Sequence, residues 1–132
     1  MDRTVQSYAQ AREILSGFVG HSFVSRSGLH ATLSKNSIEK ILSDTSGNTS
    51  NLKPHLIAAG NLDKLYTNAI EPWTFELNPN KENENIVSVH RLYAPMEYNR
   101  QIAVVKITVK EMRNPKDGNR IYSIKALDVF LE

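Results

Sequence analysis

Gln101-Ile-Ala-Val-Val-Lys-Ile-Thr-Val-Lys110 leads through Met112-Arg-Asn-Pro-Lys-Asp-Gly-Asn119 into Arg120-Ile-Tyr-Ser-Ile-Lys-Ala-Leu-Asp-Val-Phe130. This stretch reads as two amphipathic β-strands around a tight turn. Strand side chains alternate between faces, so Ala103, Val105, Ile107 and Val109 share one side. Lys106, Thr108 and Lys110 share the other. A row as apolar as the first must pack on a core, and Asp117-Gly118 is a good turn signal between the strands.

Upstream, Ile86-Val-Ser-Val-His-Arg-Leu-Tyr93 adds a third strand and makes an antiparallel meander. Trp73-Thr-Phe-Glu-Leu77 reads as a strand or extended ledge, its two aromatics core residues rather than a base-stacking platform. The polar runs Asp44–Ser50 and Asn78–Asn85 read as loops, the first of them mobile. Residues 4–15 suit a helix stopped near Gly17, with Val5, Tyr8, Ala11, Arg12 and Leu15 at helical spacing. Residues 18–25 and 28–34 read as a hairpin whose turn uses Gly28. A short helix starts at Asn36, with Glu39 three residues on in the manner of a capping box. A longer helical segment runs from about Leu52 to Ala69, with Pro54 in its first turn and a bend or split at Gly60-Asn61. The order of elements predicts an α+β domain spanning 1–132, its N-terminal helices and hairpin packed on an antiparallel β-sheet.

A chain of 132 residues suits one domain with a self-sufficient core. The absence of cysteine excludes disulfides, thiolate metal sites and a cysteine nucleophile. No apolar run reaches membrane-spanning length and the N-terminal residues lack a signal-peptide core, so a cytoplasmic location with no membrane partner is expected. The net charge of +2 is mild, but its distribution is uneven. Arg100, Lys106, Lys110, Arg113, Lys116, Arg120 and Lys125 face only Glu111 and Asp117 in the same stretch. A basic surface of that kind suits a polyanion such as RNA. The histidines have no recurring carboxylate spacing and no phosphate-cradling glycine loop is present, so neither a metal nor a cofactor is expected.

Alternation carried to the neighbouring strands gives the expected faces. Tyr122, Ile124 and Ala126 would point to the helices with Val87 and Val89, leaving Ser123, Lys125, Ser88 and His90 on the open face. There they would join Lys106, Thr108 and Lys110. A register slip would place Arg91 in the site instead of His90. A neutral-pH histidine beside fixed cations can exchange a proton with a ribose 2′-hydroxyl or a leaving 5′-oxygen, while a cation stabilises the phosphorane.

The segments Val89-His-Arg-Leu-Tyr-Ala-Pro95, Val105-Lys-Ile-Thr-Val-Lys-Glu111 and Gly118-Asn-Arg-Ile-Tyr-Ser-Ile124 together resemble a known group. They look like the phage-type Barnase–EndoU–colicin–RelE-like nuclease domains and the related large polyvalent protein-associated domains of phages and conjugative elements. Ser27-Gly-Leu-His-Ala-Thr-Leu-Ser34 and the run His55–Ala69 are similar to the same group. The resemblance implies helices on an antiparallel sheet whose other face holds the site. It implies His90 and Arg91 as the leading catalytic candidates, then Lys106, Ser123 and Tyr122, with His55 last. Thr108 joins the catalytic set from the alternation, and Lys110, Lys125 and Tyr122 are expected to bind substrate. The expected activity is metal-independent RNA cleavage by 2′-hydroxyl transesterification, with RNA and a neutralising antitoxin or immunity protein as partners. The alternative is a non-catalytic module of a mobile element that binds nucleic acid or protein. No glutamate stands on the expected open face, which leaves that site without a carboxylate base.

Overall fold

The long strands bring distant residues into register, and the helices pack where their pairing leaves an apolar face. A computed structural model describes residues 3–43, 52–72, 76–77 and 86–131. In chain order the elements are α1 (Tyr8–Ser16), β1 (Ser22–Val24), β2 (His30–Thr32), a 3-10 turn (Lys35–Ser37), α2 (Ile38–Leu42), α3 (Leu52–Gly60), α4 (Leu62–Asn68), β3 (Glu76–Leu77), β4 (Ile86–Tyr98), β5 (Gln101–Arg113) and β6 (Arg120–Leu131). The strands form one sheet in the order β1-β2-β6-β5-β4-β3. The architecture is α+β, as expected. The N-terminal hairpin extends the sheet, through a parallel pairing of Thr32 with Ser123, rather than packing on it. The expected loops Asp44–Ser50 and Asn78–Asn85, and the aromatics Trp73 and Phe75, lie outside the described residues.

β4 and β5 are longer than the sequence pattern suggested. They pair from Ile86↔Met112 to Tyr98↔Gln101, closed by Asn99 and Arg100, both at positive φ (50° and 64°). Positive φ at both central residues is the primed turn whose twist matches the strands. Leu92, Ala94 and Met96 of β4 lie level with Ile107, Val105 and Ala103 of β5, and all are fully buried. β6 completes this face with Leu127 and Val129 and, past a bulge at Lys125, with Ile124.

The helices cover that face with Leu15 of α1, Ile41 and Leu42 of α2, Ala58 and Ala59 of α3, and Leu62, Leu65 and Tyr66 of α4. Ser7 caps α1, its Oγ accepting from the Gln10 N–H at 3.2 Å. The expected capping box at Asn36 is replaced: Glu39 holds Arg12 at 2.7 Å, and Ser37 makes no side-chain cap at α2. The break at Gly60-Asn61 is real. Asn61, fully buried, donates to the carbonyls of Ile57 (2.9 Å) and Arg3 (3.1 Å). Arg3 returns a bidentate ion pair to Asp63 at 2.6 and 3.1 Å. The N-terminal segment is thereby strapped across α3 and α4, pressing Val5 onto Gly60.

The strap leaves no room for a side chain at Gly60, where a Cβ would collide with Val5. Gly60→Ala is expected to cost about 1–3 kcal/mol in urea unfolding through overpacking, although alanine favours a helix by about 1 kcal/mol. In the Val5→Ala background the same change should cost less. Arg100→Gly is expected to stabilise by about 0.5–1 kcal/mol, because the left-handed penalty of arginine exceeds the entropy cost of glycine; its unfolding midpoint checks this.

Candidate functional site

The register overturns the expected face of His90. In β4 the fully buried Leu92, Ala94 and Met96 share its parity, so His90 and Ser88 point to the helix side, not the open face. The apolar pair Val87 and Val89, expected on the core side, is only half-buried on the other. In β6, Tyr122 and Ile124 face the helix side as expected, but the bulge at Lys125 transfers that face to Leu127 and puts Ala126 opposite Thr108.

The strands outrun the helices, and at this end the helix-side face becomes polar. Ser88, Glu111 and Tyr122 lie level across β4, β5 and β6, next to the His90, Val109 and Ile124 row. His90 Nε2 lies 2.9 Å from Glu111 Oε1, and the Ser88 hydroxyl donates to the same oxygen at 3.0 Å. His90 Nδ1 lies 2.6 Å from Glu71 Oε2. Glu71 is positioned because Ile70 bridges Tyr93 of β4 and the Glu71 N–H donates to Ser27 Oγ at 3.1 Å. Arg120 Nε stands 3.4 Å from Glu111 Oε2, and the Tyr122 ring lies 5.7 Å from the imidazole.

Side-chain exposure rises from 8% at His90 through 14% at Glu111 to 40% at Arg120, so the cluster runs from core to solvent. It opens beside a cavity of about 230 Å³ lined by Arg120 and Tyr122 with His30 and Thr32. Arg120, Ile121 and Tyr122 of β6 wall this space beside the Thr32↔Ser123 pair. The two carboxylates lie on opposite ring nitrogens of His90, a geometry for orienting an imidazole rather than for gathering three ligands on one ion. Burial works to raise the Glu111 carboxyl, but the hydrogen bonds from His90 and Ser88 and the charges of His90 and Arg120 outweigh it and hold the group below the usual range. Burial, then the Glu111 charge and a hydrogen bond to it, pushes the Tyr122 hydroxyl up, so it keeps its proton.

Of the candidates named from sequence, His90 and Tyr122 enter this cluster. Arg91, Lys106 and Thr108 lie on the opposite face, where Arg91 pairs with Thr108 and Lys106 with Tyr93 and Asp128. Lys106 Nζ stands 3.8 Å from Asp128 and 5.6 Å from the Phe130 ring centre. Ser123 and Lys110 are paired on that same side, toward Lys125. His55 is buried and its Nε2 lies 2.7 Å from the Ile41 carbonyl, tying α3 to α2. Sequence reading missed Glu71, Ser88 as part of this site, Glu111 and Arg120. The signal for Glu111 was present, since it shares the parity of Ile107 and Val109.

The depressed Glu111 carboxyl fixes a sign. A carboxylate lowered in the folded state stabilises above its unfolded pKa, and that stability is lost as pH falls through the folded value. Wild-type stability should therefore drop on acidification below the ordinary carboxylate range, with a shallower drop in Glu111→Gln. His90→Ala removes the ring that bridges Glu71 and Glu111 and is expected to cost about 1–3 kcal/mol at neutral pH. That loss should shrink in acid, as thermal melts across pH would show.

No curated protein and no solved structure gives a significant match to this chain. The model of a family described as large polyvalent protein-associated domain 3 matches residues 3–122. That match takes in every helix, the whole β4–β5 hairpin and the Glu111–Tyr122 end of the site. The chain belongs to the large polyvalent protein-associated domain 3 family.

Proposed function

We propose that this domain is a metal-independent endoribonuclease of the toxin type, carried by a protein of a phage or conjugative element. The observation that supports this reading is the clamped His90, held between Glu71 and Glu111 where the polar end of the sheet meets exposed Arg120. Glu111 supplies the carboxylate base that the expected open face lacked. Its outer oxygen, Oε2, takes the proton of a ribose 2′-hydroxyl, and the 2′-oxygen attacks the adjacent phosphorus. The bond to the 5′-oxygen breaks, and the Tyr122 hydroxyl gives that oxygen its proton. Tyr122 recovers a proton from Glu111, to which it is hydrogen-bonded, so the cycle closes. Arg120 offsets charge on the phosphorane, and His90 holds Glu111 in place. The remaining product end is a 2′,3′-cyclic phosphate.

This assignment replaces Lys106 and Arg91 with Arg120 as the phosphate ligand and moves the reaction to the helix-side face. Purified protein is expected to cleave labelled RNA in EDTA and leave 2′,3′-cyclic phosphate ends. Glu111→Gln should lower the rate by about 10²–10⁴-fold, the usual contribution of a positioned acid or base. His90→Ala should lower it too, whereas Lys106→Gln should not. Wild-type protein that binds RNA without cutting it would instead identify a binding module.

A further inference from the structure

Away from the His90 cluster, three lysines from three elements converge. Lys40 of α2, Lys110 of β5 and Lys125 at the β6 bulge line one cavity of about 280 Å³, with Asn36, Ser37, Ile86 and Met112. The local folding explains the convergence. The bulge between the Thr108↔Ala126 and Val109↔Ile124 pairs throws Lys125 out of the alternation, toward the edge where β2 leaves the sheet. The chain then turns through Lys35–Ser37 into α2, which packs against β6 and brings Lys40 over the gap.

Among the described residues, no carboxylate lines this cavity. Like charges gathered in one place destabilise a fold, and the burden is greatest at the half-buried Lys125. Burial first, then the charges of Lys110 and Lys40, lowers its pKa. The neutral donors in the lining complete an anion's needs. Ser37 is buried with its hydroxyl 3.1 Å from Ser34 Oγ, and Asn36 offers an amide. Three lysines around one small cavity match the oxygens of a phosphoryl group.

We propose that Lys40, Lys110 and Lys125 form a phosphoryl-binding site that shares no residue with the His90 cluster. The ligand is a phosphate of an RNA backbone or a free phosphate, and the site binds it whether or not the His90 cluster cleaves RNA. Relief of lysine repulsion supplies part of the driving force, so an empty site costs stability that a bound phosphate returns.

The test is made on the full chain with a 2′-O-methyl RNA oligonucleotide, which cannot undergo transesterification, and with inorganic phosphate. Lys40→Gln, Lys110→Gln and Lys125→Gln are compared with Lys53→Gln, an exposed position of α3. For a backbone phosphate, each cavity variant should weaken oligonucleotide binding several-fold and reduce the salt slope by about 0.7, the counterion contribution of one contact to a single strand. For free phosphate, inorganic phosphate should raise the wild-type Tm saturably and leave the cavity variants unmoved, with oligonucleotide binding unchanged. In both cases Lys125→Gln alone should melt slightly higher than wild type without ligand. Oligonucleotide affinity and phosphate response that match wild type in all three cavity variants would overturn the proposal. Loss of RNA cleavage with these binding effects intact would count against the nuclease reading only.

Discussion

The pairing register of the β4–β5 hairpin is the constraint on which the rest of the molecule depends. Two strands of 13 residues are locked by a two-residue turn at Asn99 and Arg100. With side chains alternating strictly, a slip of one residue would carry Leu92, Ala94 and Met96 away from the helices. Their burial therefore fixes the register, and the register in turn decides where every polar residue of the hairpin points. His90 belongs to the core face because Leu92 does.

A histidine at the margin of a core must satisfy both ring nitrogens, and the fold provides for this from two directions. Glu111 arrives along the neighbouring strand, while Glu71 arrives from the segment after α4, fixed by the Ile70–Tyr93 bridge. The imidazole is thus a tie between the sheet and the helical layer as well as the centre of a polar cluster. Burying charges is tolerated here because each has a hydrogen-bonding partner and Arg120 brings the balance toward neutrality at the solvent edge.

Periodicity made the α+β class, the split helix at Gly60-Asn61 and the strand pattern of β5 legible from sequence. The face of His90 was not, for a specific reason. Ile86–Tyr93, taken as the whole strand, carries Val87 and Val89 at one parity and places the histidine opposite them. Ala94 and Met96, which decide the matter, lie in the half of β4 beyond that boundary. The bulge at Lys125 has no signature in a row of β-formers, so Ala126 was placed on the wrong side. Glu71 was beyond reach, because its approach to His90 depends on a tertiary bridge rather than on any local spacing. Glu111 was within reach once the parity of β5 was extended past Val109.

The Lys125 bulge also separates two stretches of chain that answer to different demands. On one side, Leu127 and Val129 continue the alternation that packs the helices; on the other, Arg120 and Tyr122 follow an alternation shifted by a residue. The far end of the β5–β6 hairpin, with its turn at Gly118, projects past the helical layer and contributes little to the core. Such an arrangement works as a detachable tip on a fixed handle. Residues 103–109 and 127–131 specify the fold by packing the helices, whereas residues 111–122 answer chiefly to the chemistry of the polar end.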